Sequence, residues 1–303
     1  MPTQTWMPIA AAAIDVRGHA AFDPRVEVVL LPVDGRDPLA LLGAGARVWR
    51  DLVGAHPAAR DALRSDDVPL IRELVSARLV AEGAEHPDAV RSLPRARFPS
   101  PLHELVHVVV ARVAVRSGIR CVFVKGPTLF DQRLREREHS GDVDVWCDPD
   151  RWVDLIDALE RHGWTREPDP WWGTPVGHSA TLTPGTWGCQ IDVHRRMPGT
   201  TLDDAGAFSR VYAESVPTSI AGVSVLVPSR EAHAVIAALH AARPEVGRTP
   251  REHGFALAAE FLRRVDDPVG ACDRLGAVPA LRAALRQIVT DAEIPASEGL
   301  PRD

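Results

Sequence analysis

GDVDVWCD, residues 141–148, is the stretch on which the reading of this chain turns. Asp142 and Asp144 alternate with Val143 and Val145, and the apolar run continues into Trp146 and Cys147. A period of two is the period of a strand, where residues i and i+2 share a face. Two carboxylates on one face repel each other, and each is costly to bury without a partner. The apolar neighbours say that the strand packs on a core. A divalent cation would resolve the conflict, and Mg²⁺ takes one or two carboxylates and completes its shell with water and phosphate oxygens. Read alone, the same pattern also describes an exposed strand edge with two solvated aspartates.

CQIDVH (189–194) is a second apolar strand with a single carboxylate, Asp192. On a neighbouring strand it would supply a third ligand, enough to clamp two metals about 4 Å apart as in many phosphoryl and nucleotidyl transfers. His194 shares the face of Asp192 and would orient an acceptor or act as a base; a hydrogen-bonded strand histidine fits equally. Upstream, IRCVFVKG (119–126) reads as a buried strand ending in a turn, with Pro127 opening a helix to about Arg137. A glycine turn between strand and helix brings backbone N–H groups towards a phosphate. Lys125, the only lysine of the chain, adds a point charge there and Thr128 a hydroxyl. The spacing of a Walker loop is absent. Arg137 and His139 either touch a triphosphate or are solvated, as are Arg195 and Arg196. His178, His233 and His240 read as structural or groove-lining.

The remainder sets the frame. A length of 303 residues suggests two domains. Hydrophobic residues are 45% and charged residues 25%, an ordinary globular balance. No apolar run is long enough to span a membrane and the N-terminus lacks a signal-peptide layout. The four scattered cysteines form no metal or disulfide pattern, so they read as buried thiols of a cytoplasmic protein. A net charge of −6 argues against general nucleic-acid affinity.

The N-terminal segment predicts a strand over 26–35 and helices over 39–54, 56–65 and 68–83. Three prolines between 84 and 100 mark a linker. Beyond it, a helix is expected over 101–118, a helix over 150–163 capped by Asp148, three strands between 163 and 195, and a short strand at 223–228. A helix over 229–243 capped by Ser229 then leads a helical C-terminal region. This gives an α+β chain: domain 1–84, linker 85–100, catalytic core 101–228, helical region 229–303.

KGPTLFDQRL, HSGDVDVWC, GHSATL and IDVHRRM together resemble the nucleotidyltransferase-like proteins of the polymerase-β superfamily, over about residues 100–265. The resemblance implies a mixed sheet with helices, a Mg²⁺ or Mn²⁺ site at Asp142, Asp144 and Asp192, catalysis by these with His194, and an NTP donor, ATP by default. It implies nucleotide binding by Lys125, Gly126, Thr128, Arg137, Ser140 and Gly141. Pro127 departs from the family's usual glycine or serine and removes one backbone donor.

Residues 10–84 resemble PqqD-like, winged-helix-like domains, on an apolar strand pair, a helix carrying Val48-Trp49, the Gly54 turn and a third amphipathic helix ending at Gly83. That resemblance implies a precursor leader peptide added as a strand beside the helix bearing Leu70, Arg72, Leu74 and Ser76. The alternative is a small winged helix serving packing or a homodimer. The function expected is nucleotidyl transfer to a peptide or small-molecule acceptor in ribosomal-peptide biosynthesis. Its rivals are a peptide-delivery protein without chemistry and a toxin-like enzyme acting on RNA.

Overall fold

The computed structural model describes residues 4–136, 138, 141–174, 176–243 and 252–296. It divides into two compact units, one of residues 1–110 with 186–188 and 219–224, the other holding the rest.

In the first unit, β1 (Thr5–Pro8), β2 (Ala12–Asp15), β3 (Val26–Leu31) and β4 (Leu39–Leu42) precede α1 (Gly43–Asp51); β5 (Ala58–Ala59), α2 (Val68–Ser76) and β6 (Val80–Glu82) follow. The sheets run β5-β1-β6 and β2-β3-β4, all antiparallel. Trp6, Val28, Leu30, Val48, Trp49, Leu52 and Ile71 form their common core, and the Trp49 indole N–H donates to the Leu79 carbonyl at 3.0 Å.

Three expectations are corrected here. LALL (39–42), read as the start of a helix, is extended because it completes the edge of the β3 ladder. HPAARDALRS forms no α-helix: Ala58 and Ala59 pair with β1, and two short 3₁₀ turns follow. Cross-strand pairing overrides its alanine-rich helix propensity. The proline-rich stretch is tied to this unit. Val90 N–H donates to the Pro8 carbonyl at 2.8 Å, Asp15 N–H to that of Pro94 at 2.8 Å, and Val90 and Leu93 pack on the core. The division between the units falls inside α3 (Pro101–Arg116), after Val110.

The second unit is built on β7 (Cys121–Phe123), α4 (Gly126–Asp131), β8 (Asp142–Cys147), α5 (Trp152–Glu160), β9 (Trp164–Arg166), β10 (Ser179–Pro184) and β11 (Gln190–His194). Next in the chain come α6 (Asp204–Ala213), the hairpin β12 (Val216–Ile220) and β13 (Val223–Val227), whose residues 219–224 are counted with the first unit, and then the helices α7 (Arg230–Ala242), α8 (Glu252–Leu262), α9 (Pro268–Arg274) and α10 (Val278–Leu285) of the second. The five-stranded sheet has the order β7-β8-β11-β10-β9, with β8 and β11 parallel and the other pairs antiparallel.

Alternation gives β8 and β11 two chemically different faces. Val143, Val145, Ile191 and Val193 are fully buried on one. The other carries Asp142, Asp144, Trp146, Gln190, Asp192 and His194. Trp146 joins the core made by α6 to α10. Ser229 caps α7 as expected, its hydroxyl accepting from Ala232 N–H at 3.4 Å. Asp148 does not cap α5; its carboxylate pairs with Arg120 at 2.6 Å, and a 3₁₀ turn opens the helix. No helix among the described residues is long and apolar enough to cross a membrane.

Candidate active site

The parallel register of β8 and β11 sets Asp192 directly opposite Asp144, and Gln190 opposite Asp142. Donor atoms of Asp144, Asp192 and His194 lie within 4.8 Å of one another. Asp144 is 5% exposed, so its charge must be met inside the fold. It is met twice on one oxygen: the Lys125 ammonium forms an ion pair with Oδ1, and His194 Nε2 lies 2.8 Å from the same atom. A carboxylate only accepts, so Nε2 carries the proton. Burial pushes the Asp144 carboxyl up, but the His194 hydrogen bond and Lys125 outweigh it and hold it down at about 2.

Asp192 is braced differently. The Thr181 hydroxyl on β10 donates to its Oδ1 at 2.6 Å, across the antiparallel pairing of Thr181 with Asp192. Asp142, at the start of β8, is pushed up first by burial and then by the charges of Asp144 and Asp192, with Lys125 opposing. A carboxyl destabilised by two like charges is suited to a site that gains a cation. Two carboxylates side by side, a third in electrostatic reach and one imidazole thus form a possible metal site, and hard oxygen donors suit Mg²⁺ or Mn²⁺.

Lys125 reaches Asp144 from an unusual backbone. Its φ of 59° and ψ of −145° belong to a region that side chains other than glycine rarely occupy, and Gly126 follows at φ 56°. Fixed groups hold both sides of the residue. Its N–H donates to His233 Nε2 on α7 at 2.7 Å, and its carbonyl accepts from the Thr128 hydroxyl at 2.7 Å. Thr128 is buried, and its hydroxyl braces the turn. His233 is therefore more than core lining. Its Nδ1–H donates to Gln132 Oε1 at 2.7 Å, and Gln132 Nε2 donates to the Pro228 carbonyl at 2.9 Å. Burial lowers the imidazole to about 3, so it stays neutral with its proton on Nδ1.

A narrow crevice opens beside these groups, lined by Lys125, His178, His194, Ile236, Leu239 and Arg243. Arg243 Nη1 donates to His178 Nε2 at 2.5 Å. Burial, and then the Arg243 charge, lowers His178 to about 3. Arg135 and Arg243 are each lowered by burial and steadied by a site carboxylate, Asp144 for the first and Asp192 for the second. Lys125, Arg135 and Arg243 thus make a cationic surround for the three aspartates, the field an anionic substrate requires. Sequence reading named neither arginine, nor Gln132; no local motif marks them. Gly141 is exposed just before β8. Arg137, His139 and Ser140 lie outside the described residues. Arg196 is buried, and Arg195 stands over the Trp152 ring at 5.7 Å, away from the aspartates' face.

The chain belongs to the family of uncharacterised nucleotidyltransferases whose model matches residues 103–267, more than half of its length. It is a nucleotidyltransferase. Among solved structures it is similar to ANT(2")-Ia in complex with adenylyl-2"-tobramycin, at 20% identity and TM-score 0.35, covering 62% of this chain and 98% of that one. The lincosamide antibiotic adenylyltransferase LnuA, lincomycin-bound, is similar at 14% identity and TM-score 0.32, covering 54% and 96%. An antigenic nucleotidyltransferase-like protein from Paracoccidioides brasiliensis is similar at 12% identity and TM-score 0.35, covering 61% and 92%. No curated protein matches the chain.

Proposed function

We propose that this chain moves a nucleoside monophosphate from an NTP, ATP by default, to a hydroxyl of a peptide or small-molecule acceptor. The observation that carries this reading is the in-register pair Asp144 and Asp192, with the Lys125 ammonium on Asp144. Asp144 and Asp192 would hold the cation, with Asp142 as the third carboxylate. A bound Mg²⁺ or Mn²⁺ supplies Lewis-acid polarisation of the phosphoryl oxygens and eases deprotonation of the acceptor.

The chain's own residues do the rest. His194 fixes one oxygen of Asp144 and so its orientation, as Thr181 does for Asp192. Lys125, Arg135 and Arg243 attract and orient the triphosphate and stabilise the charge that grows on departing pyrophosphate. The test is pyrophosphate release from each NTP with Mg²⁺, paired with transfer of an α-phosphate label to candidate acceptors. Metal-dependent release that disappears in Asp192→Asn supports the reading. No release from any NTP, with any acceptor offered, points instead to a peptide-delivery role.

For the first unit, we propose the PqqD-like role of leader-peptide capture in ribosomal-peptide biosynthesis. What supports it is the edge strand β4, where Ala40 and Leu42 are exposed and Leu42 is 53% accessible. An exposed edge offers unpaired N–H and C=O groups to an added strand. Along α2, Arg72 and Ser76 are exposed and Leu70 is half-buried, whereas Leu74 turns into the core and offers nothing to a peptide. Hydrogen exchange of the Leu39–Leu42 amides, with and without extended leader-type peptides, tests this. Protection confined to β4 supports capture, and unchanged exchange with every peptide bound elsewhere contradicts it.

A further inference from the structure

We propose that His233, with Gln132 behind it, is a positioning residue for Lys125, fixing the strained turn that aims the one lysine of the chain at Asp144. The strain lies in the backbone. Glycine would occupy a φ of 59° and ψ of −145° without cost, and a lysine there is strained. Such a conformation persists only where the surroundings over-determine it. They do so here from two sides, through His233 Nε2 on the N–H and Thr128 Oγ1 on the carbonyl.

The acceptor on the N–H is itself locked. An imidazole nitrogen accepts only when deprotonated, so Nε2 is free to accept because Nδ1 keeps the proton. That proton is held by Gln132 Oε1, and the amide cannot flip without losing Nε2–H to the Pro228 carbonyl. Arg230 Nε donates to the backbone carbonyl of Gln132 at 3.0 Å, tying the start of α7 to the end of α4. His233 is fully buried and touches none of the three aspartates in this chain of bonds. It therefore acts through Lys125 rather than on substrate.

The functional side of this inference rests on the reading of Lys125 as a nucleotide-site residue; the structural side does not. The single lysine makes the two separable. Reductive ¹³C-methylation of this chain marks Lys125 and the terminal amine alone, so the labelling rate and methyl chemical shift of Lys125 report its confinement without nucleotide or turnover.

In His233→Ala, which circular dichroism must show to be folded, Lys125 should label at least about tenfold faster, the equilibrium equivalent of one lost buried hydrogen bond. His233→Gln places an acceptor near the position of Nε2 and should restore slow labelling. Gln132→Ala, which leaves the imidazole free to choose its tautomer, should fall between and serves if His233→Ala does not fold. Unchanged labelling and shift in a folded His233→Ala, or in Gln132→Ala where that variant stands in, would overturn the proposal. So would fast labelling in His233→Gln. A wild-type protein that shows the clamp but transfers no nucleotide would leave this inference standing and remove the functional reading.

Discussion

Asp144 and Asp192 face each other across the parallel pairing of β8 with β11, yet they are stabilised by opposite means. Asp144 is buried against a cation and an imidazole, whereas Asp192 is half-buried and held by one hydroxyl. The same isosteric substitution should therefore separate stability from activity. Asp144→Asn leaves the Lys125 ammonium, itself only 12% exposed, without its counter-charge, and should cost about 3 kcal/mol. Asp192→Asn keeps an oxygen to accept from Thr181 and should fold with nearly wild-type stability. Both should lower transfer by at least about a hundredfold, since several kcal/mol of charge stabilisation depend on the carboxylates. Urea unfolding and pyrophosphate release on the two variants check this.

The Thr181 hydroxyl should matter to chemistry out of proportion to its size. Thr181→Val preserves shape and β-branching on β10 but removes the donor on Asp192 Oδ1. Partners that orient a metal-binding carboxylate are worth about 10- to 100-fold in metal affinity or activity. The Mg²⁺ concentration for half-maximal activity should rise by that order while the circular dichroism spectrum stays unchanged.

Strain at Lys125 predicts an order of stability. Lys125→Ala and Lys125→Gly both remove the ion pair with Asp144, so their difference isolates the backbone. At φ 59° the glycine variant should be the more stable by about 1 kcal/mol. Equal stabilities, measured by chemical denaturation at the same pH, would mean that the turn is not strained.

Buried neutral histidine makes stability depend on pH. His233 takes up a proton near 6.5 when unfolded and near 3 in the fold. Between these values the unfolded chain binds more protons, so stability is complete above pH 6.5 and falls as pH drops through the window. One such group contributes up to about 1.4 kcal/mol per pH unit. Asp144 acts at a lower pH: its folded value is held at about 2 against 3.8, so its contribution is present above 3.8 and is lost as pH falls through 2. His233→Gln should therefore lessen the slope between pH 6.5 and 5 by up to about 1.4 kcal/mol per pH unit, leaving the share of His178 and His240, which burial lowers to about 3 and about 4, and the loss below pH 4. An unaltered slope in that variant would contradict a neutral His233.

What could be read from the sequence follows from how local its cause was. Asp142, Asp144 and Asp192 announced themselves because alternation with valine and isoleucine is a local pattern, and the pleat puts alternate residues on one face. The role of His194 was half legible: its face was fixed by spacing, but its partner, Asp144, lies 50 residues away. His233 is 108 residues from Lys125 and Arg243 is 65 from His178, so neither partnership leaves any sign in its own neighbourhood. The hydrogen bond of Thr128 was hidden for the same reason in reverse. A hydroxyl three residues past a lysine looks available to a ligand, but at a left-handed turn the lysine's own carbonyl is its nearest acceptor. In the first unit, LALL and HPAARDALRS carry helix-forming residues, and only pairing with β3 and β1 makes parts of them extended.

Calorimetric titration of Mg²⁺·ATP, and of each other NTP with Mg²⁺, into wild type and Asp192→Asn probes the proposed metal-dependent nucleotide site on the opposed aspartates. Wild type should bind at least one triphosphate saturably, with binding abolished by EDTA and weakened at least about tenfold in the variant, whose fold is intact. Equal affinity in the two proteins, or no binding of any triphosphate to wild type, would contradict it.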